Sequence, residues 1–368
     1  MTSTLALRVR KKPAGKHYTD TLASLQREFR RRGWHRPATA ILLRQYALLL
    51  ALSLGGLILF DISSDLRYQA LGLMLSAIGS LGISTQAHTA SHGTVSRAKW
   101  LNQGLTYLGF PVVLGLPATY WRHKHISVHH KAPNVHGFDE DINLMPLFAL
   151  TQDEARKGGR LMRFYHRRLQ WLVLLLTLPL IGYNTMLYGL AFLARKLIHP
   201  NTRTAAAWFD VGALLLHVLI WIALPMLYAP AGVVLLGYGL RHALLGVGMF
   251  AVFAPAHFPA EAVIAHKSQR RANFALRQTT TTVNYRTGPV GRFLCAGVEF
   301  QIEHHLFCNY SHVYYPAMSR LVREFCVRHG YPYRSLGWGE ALLKSLQAFL
   351  YPKPVVKELA KDLSELQG

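Results

Sequence analysis

The chain has 368 residues, 51% of them hydrophobic and only 16% charged, with a formal net charge of +23. That balance excludes a disordered chain, which resists collapse by being highly charged and poorly apolar. Long uncharged apolar runs make a membrane surface, not nucleic acid, the partner of the positive charge. Three cysteines (Cys295, Cys308 and Cys326) are too few and too late in the chain for a disulfide framework or a zinc ribbon.

The first predicted element is a basic helix over Thr19–Trp34. It sets Leu22, Leu25 and Phe29 on one face beside Arg27, Arg30, Arg31 and Arg32, a pattern suited to an anionic bilayer surface. The first long apolar run begins near Ala40, too late for an ordinary cleaved signal. Runs at about 41–60 and 68–87, joined by the short loop 61–67, predict a transmembrane hairpin with Arg44 snorkelling to the interface. Runs at about 210–228 and 233–256, broken at Ala229-Pro-Ala-Gly232, predict a second hairpin with Arg241 inside its last span. A charge within a span is paired, functional or turned to the bundle interior.

The uncharged stretch 171–194 is long enough to be a fifth span, but topology argues against it. Lys and Arg in short loops mark the cytoplasmic side, and here they concentrate in 1–40, 88–170 and 257–368. Only an even number of crossings between 170 and 257 keeps all three segments on one side. The stretch 171–194, like the apolar 101–117, therefore reads as re-entrant or interfacial. The expected fold is an all-α integral membrane protein: four transmembrane helices in two hairpins, re-entrant or interfacial helices, and a cytoplasmic cap. Its parts are a basic amphipathic arm (1–40), a membrane domain (41–340) and a helical tail (341–368).

Nineteen histidines stand out, and they are not scattered. His88 and His92 follow the second span at a spacing that puts both on one helical face. In His125-Ile-Ser-Val-His129-His130, His125 and His129 share a face while His130 turns about 100° away. The third cluster is Gln301-Ile-Glu-His304-His305. His257, at the end of the last span, is brought beside the first cluster by the hairpin geometry. Adjacent histidines cannot point the same way from a helix, so a doubled histidine suits a site whose neighbouring ligands serve two metals.

Eight imidazoles and one glutamine exceed the needs of one ion, and the chain offers no thiolate cluster. Neutral imidazole suits iron, zinc, copper and nickel, and of these zinc has no redox chemistry. The helix-bundle di-iron signature of paired Glu-x-x-His motifs is missing; Glu299 and Glu303 have no such partners. The expected site is a histidine-rich, non-haem pair of irons on the cytoplasmic side. Asp139 and Asp141 are the residues expected to orient ligands, with His123 in a surface or outer role.

The order HxxxH, HxxxHH, QxxHH resembles the membrane fatty acid desaturase superfamily, in its acyl-lipid and front-end branch, whose third box begins with Gln. Trp121-Arg-His-Lys-His-Ile-Ser-Val-His-His130, Asn134, Asp139-Glu-Asp-Ile142, Gln278-Thr-Thr-Thr-Thr-Val-Asn284, Gln301-Ile-Glu-His-His-Leu-Phe307 and Tyr315-Pro316 carry the likeness over roughly 40–340. The resemblance implies an O2-dependent oxidoreductase that places a double bond in a fatty acyl chain, with His88, His92, His125, His129, His130, His304 and His305 as iron ligands. His257 matches an extra ligand, and Gln301 stands where a related branch has histidine. Thr89 replaces an acidic residue common after the first His, and Cys308 a usual proline. No cytochrome b5 module is expected in the chain, so electrons would come from a separate ferredoxin or cytochrome-type carrier, drawn by the basic face. The acyl carrier (lipid, coenzyme A or acyl carrier protein) stays open. Two other functions compete: a fatty acyl hydroxylase or acetylenase on the same site, and a membrane metal-binding or transport protein without redox chemistry.

Overall fold

Small residues decide how the first hairpin closes. The structure, a computed structural model describing residues 21–359, pairs helix α2 (Thr39–Ile62) with α3 (Leu66–Ser91) along their whole length. A Cβ added to Gly56 would fall 2.4 Å from the Ser76 backbone nitrogen, and one on Gly79 would fall 2.5 Å from that of Ser53. Backbones this close need small side chains at the seam, as in helix pairs packed within lipid. Ser53 and Ser80 also share a hydrogen bond across it at 2.6 Å.

Ahead of this hairpin lies α1 (Leu22–Arg31), capped by Thr21. Thr19 and Asp20, the start of the expected basic helix, lie outside the described residues. The fate of its apolar face corrects the expectation of a bilayer-bound arm. Leu25 and Phe29 are fully buried in the protein, and the Phe29 ring meets Phe307 edge-on at 5.0 Å. Amphipathic spacing dictates that a face is covered, but the cover here is the protein's own cap, and Arg30, Arg31 and Arg32 are left outward.

Beyond α3, α4 (Lys99–Tyr107) runs into a π-helical turn at Leu108–Val113, and a second π-helical turn spans Arg122–Val128. Helices α5 (Gln170–Thr177) and α6 (Ile181–Ile198) flank a break at Leu178–Leu180 that contains Pro179. Helix α7 (Ala205–Val218) extends through a π turn to Leu227, and α8 (Ala231–His257) completes the second hairpin. Among the described residues, five helical stretches are long and apolar enough to cross a membrane: the four expected, and Gln170–Ile198 in addition. Arg241 of α8 turns to the bundle interior: it donates to Ser80 Oγ at 2.9 Å and Val113 O at 3.0 Å, and lies 3.6 Å over the Trp221 ring.

The cap follows α8. It contains α9 (Gln301–Leu306), α10 (Tyr315–His329) and α11 (Trp338–Gln347). Two short parallel strand pairs tie it down: Ile264–Ala265 with Val355–Val356, and Asn284–Arg286 with Ser335–Gly337. The helical tail expected over 341–368 is helical only to Gln347. The chain then runs extended, and the buried Lys353 ammonium donates to the carbonyls of Pro259 (3.1 Å) and Ala262 (2.6 Å). That strap competes with a helix because its backbone pairs with the cap; residues 360–368 lie outside the described residues.

Candidate metal centre

The C-terminal ends of α3 and α8 lie side by side and carry His88, His92 and His257. Over them fold the second π turn with His125, His129 and His130, and the short helix α9 with Gln301, His304 and His305. All eight histidines and the glutamine are brought together, in two groups.

The first group holds His88, His92, His125, His130 and His304, with ligand atoms within 4.8 Å of one another. Four of the Nε2 atoms close a ring: His88 to His125 at 2.8 Å, His125 to His130 at 3.0 Å, His130 to His304 at 2.9 Å and His304 to His88 at 3.1 Å. The buried His92 Nε2 has no hydrogen-bond partner. Each Nε2 carries either one proton or one lone pair, so no set of tautomers makes four well-formed hydrogen bonds of this ring. A cation does satisfy it: metal–imidazole bonds of about 2.1 Å at right angles space neighbouring nitrogens by about 3 Å.

The second group is His129, His257 and His305. Gln301 joins it, with its side-chain amide nitrogen 2.8 Å from His257 Nε2 and 3.1 Å from His305 Nε2, while the buried Oε1 has no partner. The two amide atoms exchange places by a half-turn. Either the N–H donates to an imidazole, or the oxygen faces a cation. The residues of both groups fit metal ions.

The doubled histidines divide as expected, one of each pair per group. The pairing within the second motif differs: His125 sits with His130, and His129 stands apart. The cause is the π turn, whose i→i+5 hydrogen bonds widen the helix and move the partner of His125 from the fourth to the fifth following residue. In the third motif Gln301 likewise meets His305, not His304.

Surrounding groups fix the rings. His129 Nδ1 donates to Asp139 at 2.9 Å and lies 3.2 Å from Asp141, which also pairs with Lys124 at 2.8 Å. Asp139 further accepts the Asn134 backbone N–H at 2.8 Å, and the Asn134 side chain donates to His257 O at 2.8 Å. His304 Nδ1 has Tyr315 Oη at 3.4 Å, and Trp121 stacks on His125 at 4.5 Å. The outer nitrogens of His88, His257 and His305 have no side-chain or backbone partner among the described residues. His123, expected in a surface or outer role, lies at the surface: two positions before His125 it is exposed and stacks on Phe192 at 5.2 Å. Thr89, in place of an acidic residue, contacts His312 Nδ1 at 3.2 Å. Asn134 and Tyr315 had no ligand-type spacing to mark them, only their place in the family motifs.

Burial first, and neighbouring imidazoles second, push His92 down to about 4 and hold His125, His130, His304 and His305 well below the ordinary histidine value. Neutral imidazoles keep the lone pair that a metal needs. For His129 burial acts the same way, but the charges of Asp139 and Asp141 outweigh it and raise the value. Glu303 and Glu299 are pushed up to about 7 by burial. Neither belongs to a histidine group: Glu303 accepts from Asn284 and Tyr333, and Glu299 from the Gly297 N–H.

A narrow apolar cavity of about 20 Å³ lies next to the first group, with Trp121, Phe253 and Ser84 toward the histidines and Met186, Leu245 and His242 deeper in the bundle. It has room for a water and not for a chain. Its lining includes Met186 and Met249, unbranched side chains of the kind that adapt to irregular gaps.

The sequence profile of the fatty acid desaturase family matches residues 66–337. The chain is 26% identical to an sn-1 linoleoyl-lipid 6-desaturase of Arthrospira platensis, over 72% of this chain and 70% of that protein. It is also 26% identical to the sn-1 linoleoyl-lipid 6-desaturase of Synechocystis sp., over 72% and 74% of the two chains. With the Delta(5) fatty acid desaturase fat-4 of Caenorhabditis elegans it shares 27% identity, over 75% of this chain and 62% of the relative.

Proposed function

The chain belongs to the fatty acid desaturase family, and from that premise we propose that it is a di-iron, O2-dependent desaturase of membrane-resident acyl chains, fed with electrons by a separate carrier. The observation that carries this reading is the division of eight histidines into two adjacent groups, with His129 and His130, and His304 and His305, split between them. A single-metal or transport role leaves that division without a purpose.

The first group would hold one iron and the second, with Gln301, the other. What bound iron supplies is the reductive activation of O2, needed because a methylene has no polar handle for acid–base chemistry. The chain's own residues do the rest. Asp139 takes the His129 Nδ1 proton in a hydrogen bond, which fixes the tautomer and turns Nε2 inward. Trp121, Phe110 and Phe253 wall the apolar cavity beside His88, so a chain admitted there meets an aromatic, apolar face. Position along the chain follows from how far that cavity extends. Two of the relatives are named as a 6-desaturase and a Delta(5) desaturase, and we assign this chain to the same class.

Four crossings are supported by the path of Gln170–Ile198. The Gln170 side chain bonds to Ala149 and Phe349 in the cap, whereas the break at Leu178–Leu180 reaches the middle of α8, where a Cβ on Gly246 would meet Leu178 O at 2.6 Å. Helix α6 then comes back until Gly189 packs on Pro117 and Phe192 on Tyr120. This segment dips to mid-depth and returns, so every basic segment stays on the histidine side, which the charge bias assigns to the cytoplasm.

The test is the fatty-acid profile of cells expressing the wild type beside His304→Ala, with iron measured on both purified chains. A new unsaturated acid and about two irons per chain in the wild type alone are expected. A hydroxy acid would reassign the site to hydroxylation. Equal profiles from wild type and variant, with iron bound by the wild type, would overturn the reading.

A further inference from the structure

A second, larger cleft of about 480 Å³ opens at the histidine end of the bundle, between the start of α2, the end of α3 and the start of α4. Arg36, Arg97, Lys99 and Arg122 line it, and no carboxylate does. None of these four cations forms an ion pair among the described residues. Three of them, Arg36, Arg97 and Lys99, are exposed; Arg36 comes from just ahead of α2, and Arg97 and Lys99 from the start of α4. Helix α4 begins in the same wall at Lys99, with no side-chain cap and no acidic residue in its first turn, so its N-terminal N–H groups add to the positive field. Concave, cationic and lacking internal counter-charge, the cleft is built for an oxyanion with several oxygens.

The cleft is joined to the metal centre by one hydrogen bond. Ser91 lines the cleft and accepts from Trp121 Nε1 at 3.2 Å. Trp121 in turn walls the apolar cavity and stacks on His125. A polar anion site, one aromatic gate residue and an apolar cavity beside the histidines thus lie in series. That is the order of parts in an acyl ester: headgroup, ester, chain.

We propose that this cleft binds the phosphate of the acyl substrate's headgroup, so that the substrate is a phosphate-bearing acyl compound whose chain passes Trp121 to reach the histidines. The assignment rests on the desaturase reading for the identity of the chain, but the phosphate site stands on its own residues. The same chemistry is offered by a phosphoglyceride in the bilayer and by an acyl thioester of coenzyme A. Arginines and a lysine added only for topology would sit apart in solvent; these share one hollow with an uncapped helix start.

The test uses the full chain purified in neutral detergent and native mass spectrometry of bound ligand. The probes are phosphatidylglycerol, a neutral galactosyldiacylglycerol, oleoyl-coenzyme A and methyl oleate. The wild type should retain one or both phosphate-bearing probes about tenfold over the neutral one of the same chain, and Arg36→Gln, Arg97→Gln and Lys99→Gln together should abolish that preference. Preference for phosphatidylglycerol alone, or for oleoyl-coenzyme A alone, supports the site and names the source. No preference in the wild type, or an undiminished one in the variant, overturns it. The substituted side chains are exposed, and an unchanged unfolding temperature checks that the fold is intact. Because binding needs no turnover, phosphate-selective retention by a chain that makes no double bond would count against the desaturase reading and leave the cleft assignment standing.

Discussion

The two histidine groups are unlike each other. The first is five imidazoles, four of them in a closed ring of nitrogens about 3 Å apart, drawn from three separate segments of the chain. The second has three imidazoles and an amide, and the carboxylates of Asp139 and Asp141 stand behind His129. The contrast teaches that a site can be held in two ways: by the number of ligands, or by fewer ligands with charged support. The first group should tolerate changes in its surroundings and fail when a ligand is lost. The second should respond to its supporting groups as well.

Removing a ring member is the severest way to break the comparison. His125→Ala takes a nitrogen that touches both His88 and His130; desaturation should fall below detection and bound iron from about two per chain to one or fewer, as read by acyl profiling and metal analysis. Asp139→Ala leaves every ligand present but removes the nearer of the two carboxylates at His129 Nδ1, at 2.9 Å against 3.2 Å for Asp141. Iron of the second group should then be lost to a chelator at about 10–100-fold lower concentration, with the first group's iron retained. If both irons leave together, the groups are one cooperative site and the contrast fails.

Gln301 sharpens the difference further. Gln301→Ala should weaken the second iron about tenfold, the worth of one modest contact, whereas Gln301→His should restore or exceed wild-type retention by adding a fourth imidazole. Equal retention in all three proteins would show that the amide is only a hydrogen-bond donor to the imidazoles. The smallest effect is expected from His123→Ala, which removes an exposed ring stacked on Phe192; activity and iron content should stay within about twofold of wild type.

Much of this is legible in the sequence. The long uncharged runs located the four expected spans to within a few residues, and the run at 171–194 falls on a fifth membrane-length helical stretch, Gln170–Ile198. The doubled histidines announced two groups, because neighbours on a helix point about 100° apart. The spacing rule failed at His125, where it chose His129 as the companion and the structure gives His130. A π turn is written in hydrogen bonds that the surrounding helices impose, and nothing in the local spacing of Arg122–Val128 distinguishes it from an α-helix. Asn134 and Tyr315 were readable only as parts of a family motif, since their value lies in contacts made across the fold.

The sequence by itself determined which segments are apolar enough to enter a membrane and which side chains can bind metal, because hydropathy and ligand chemistry belong to residues. Tertiary structure alone decided what those properties meet. It buried the amphipathic face of α1 in the cap instead of a bilayer, set the break at Leu178–Leu180 against the middle of α8, sorted the histidines between two groups, and gathered four cations from three segments into one cleft. An amphipathic pattern or a charge specifies that a partner is needed; only the packing of distant segments specifies which one.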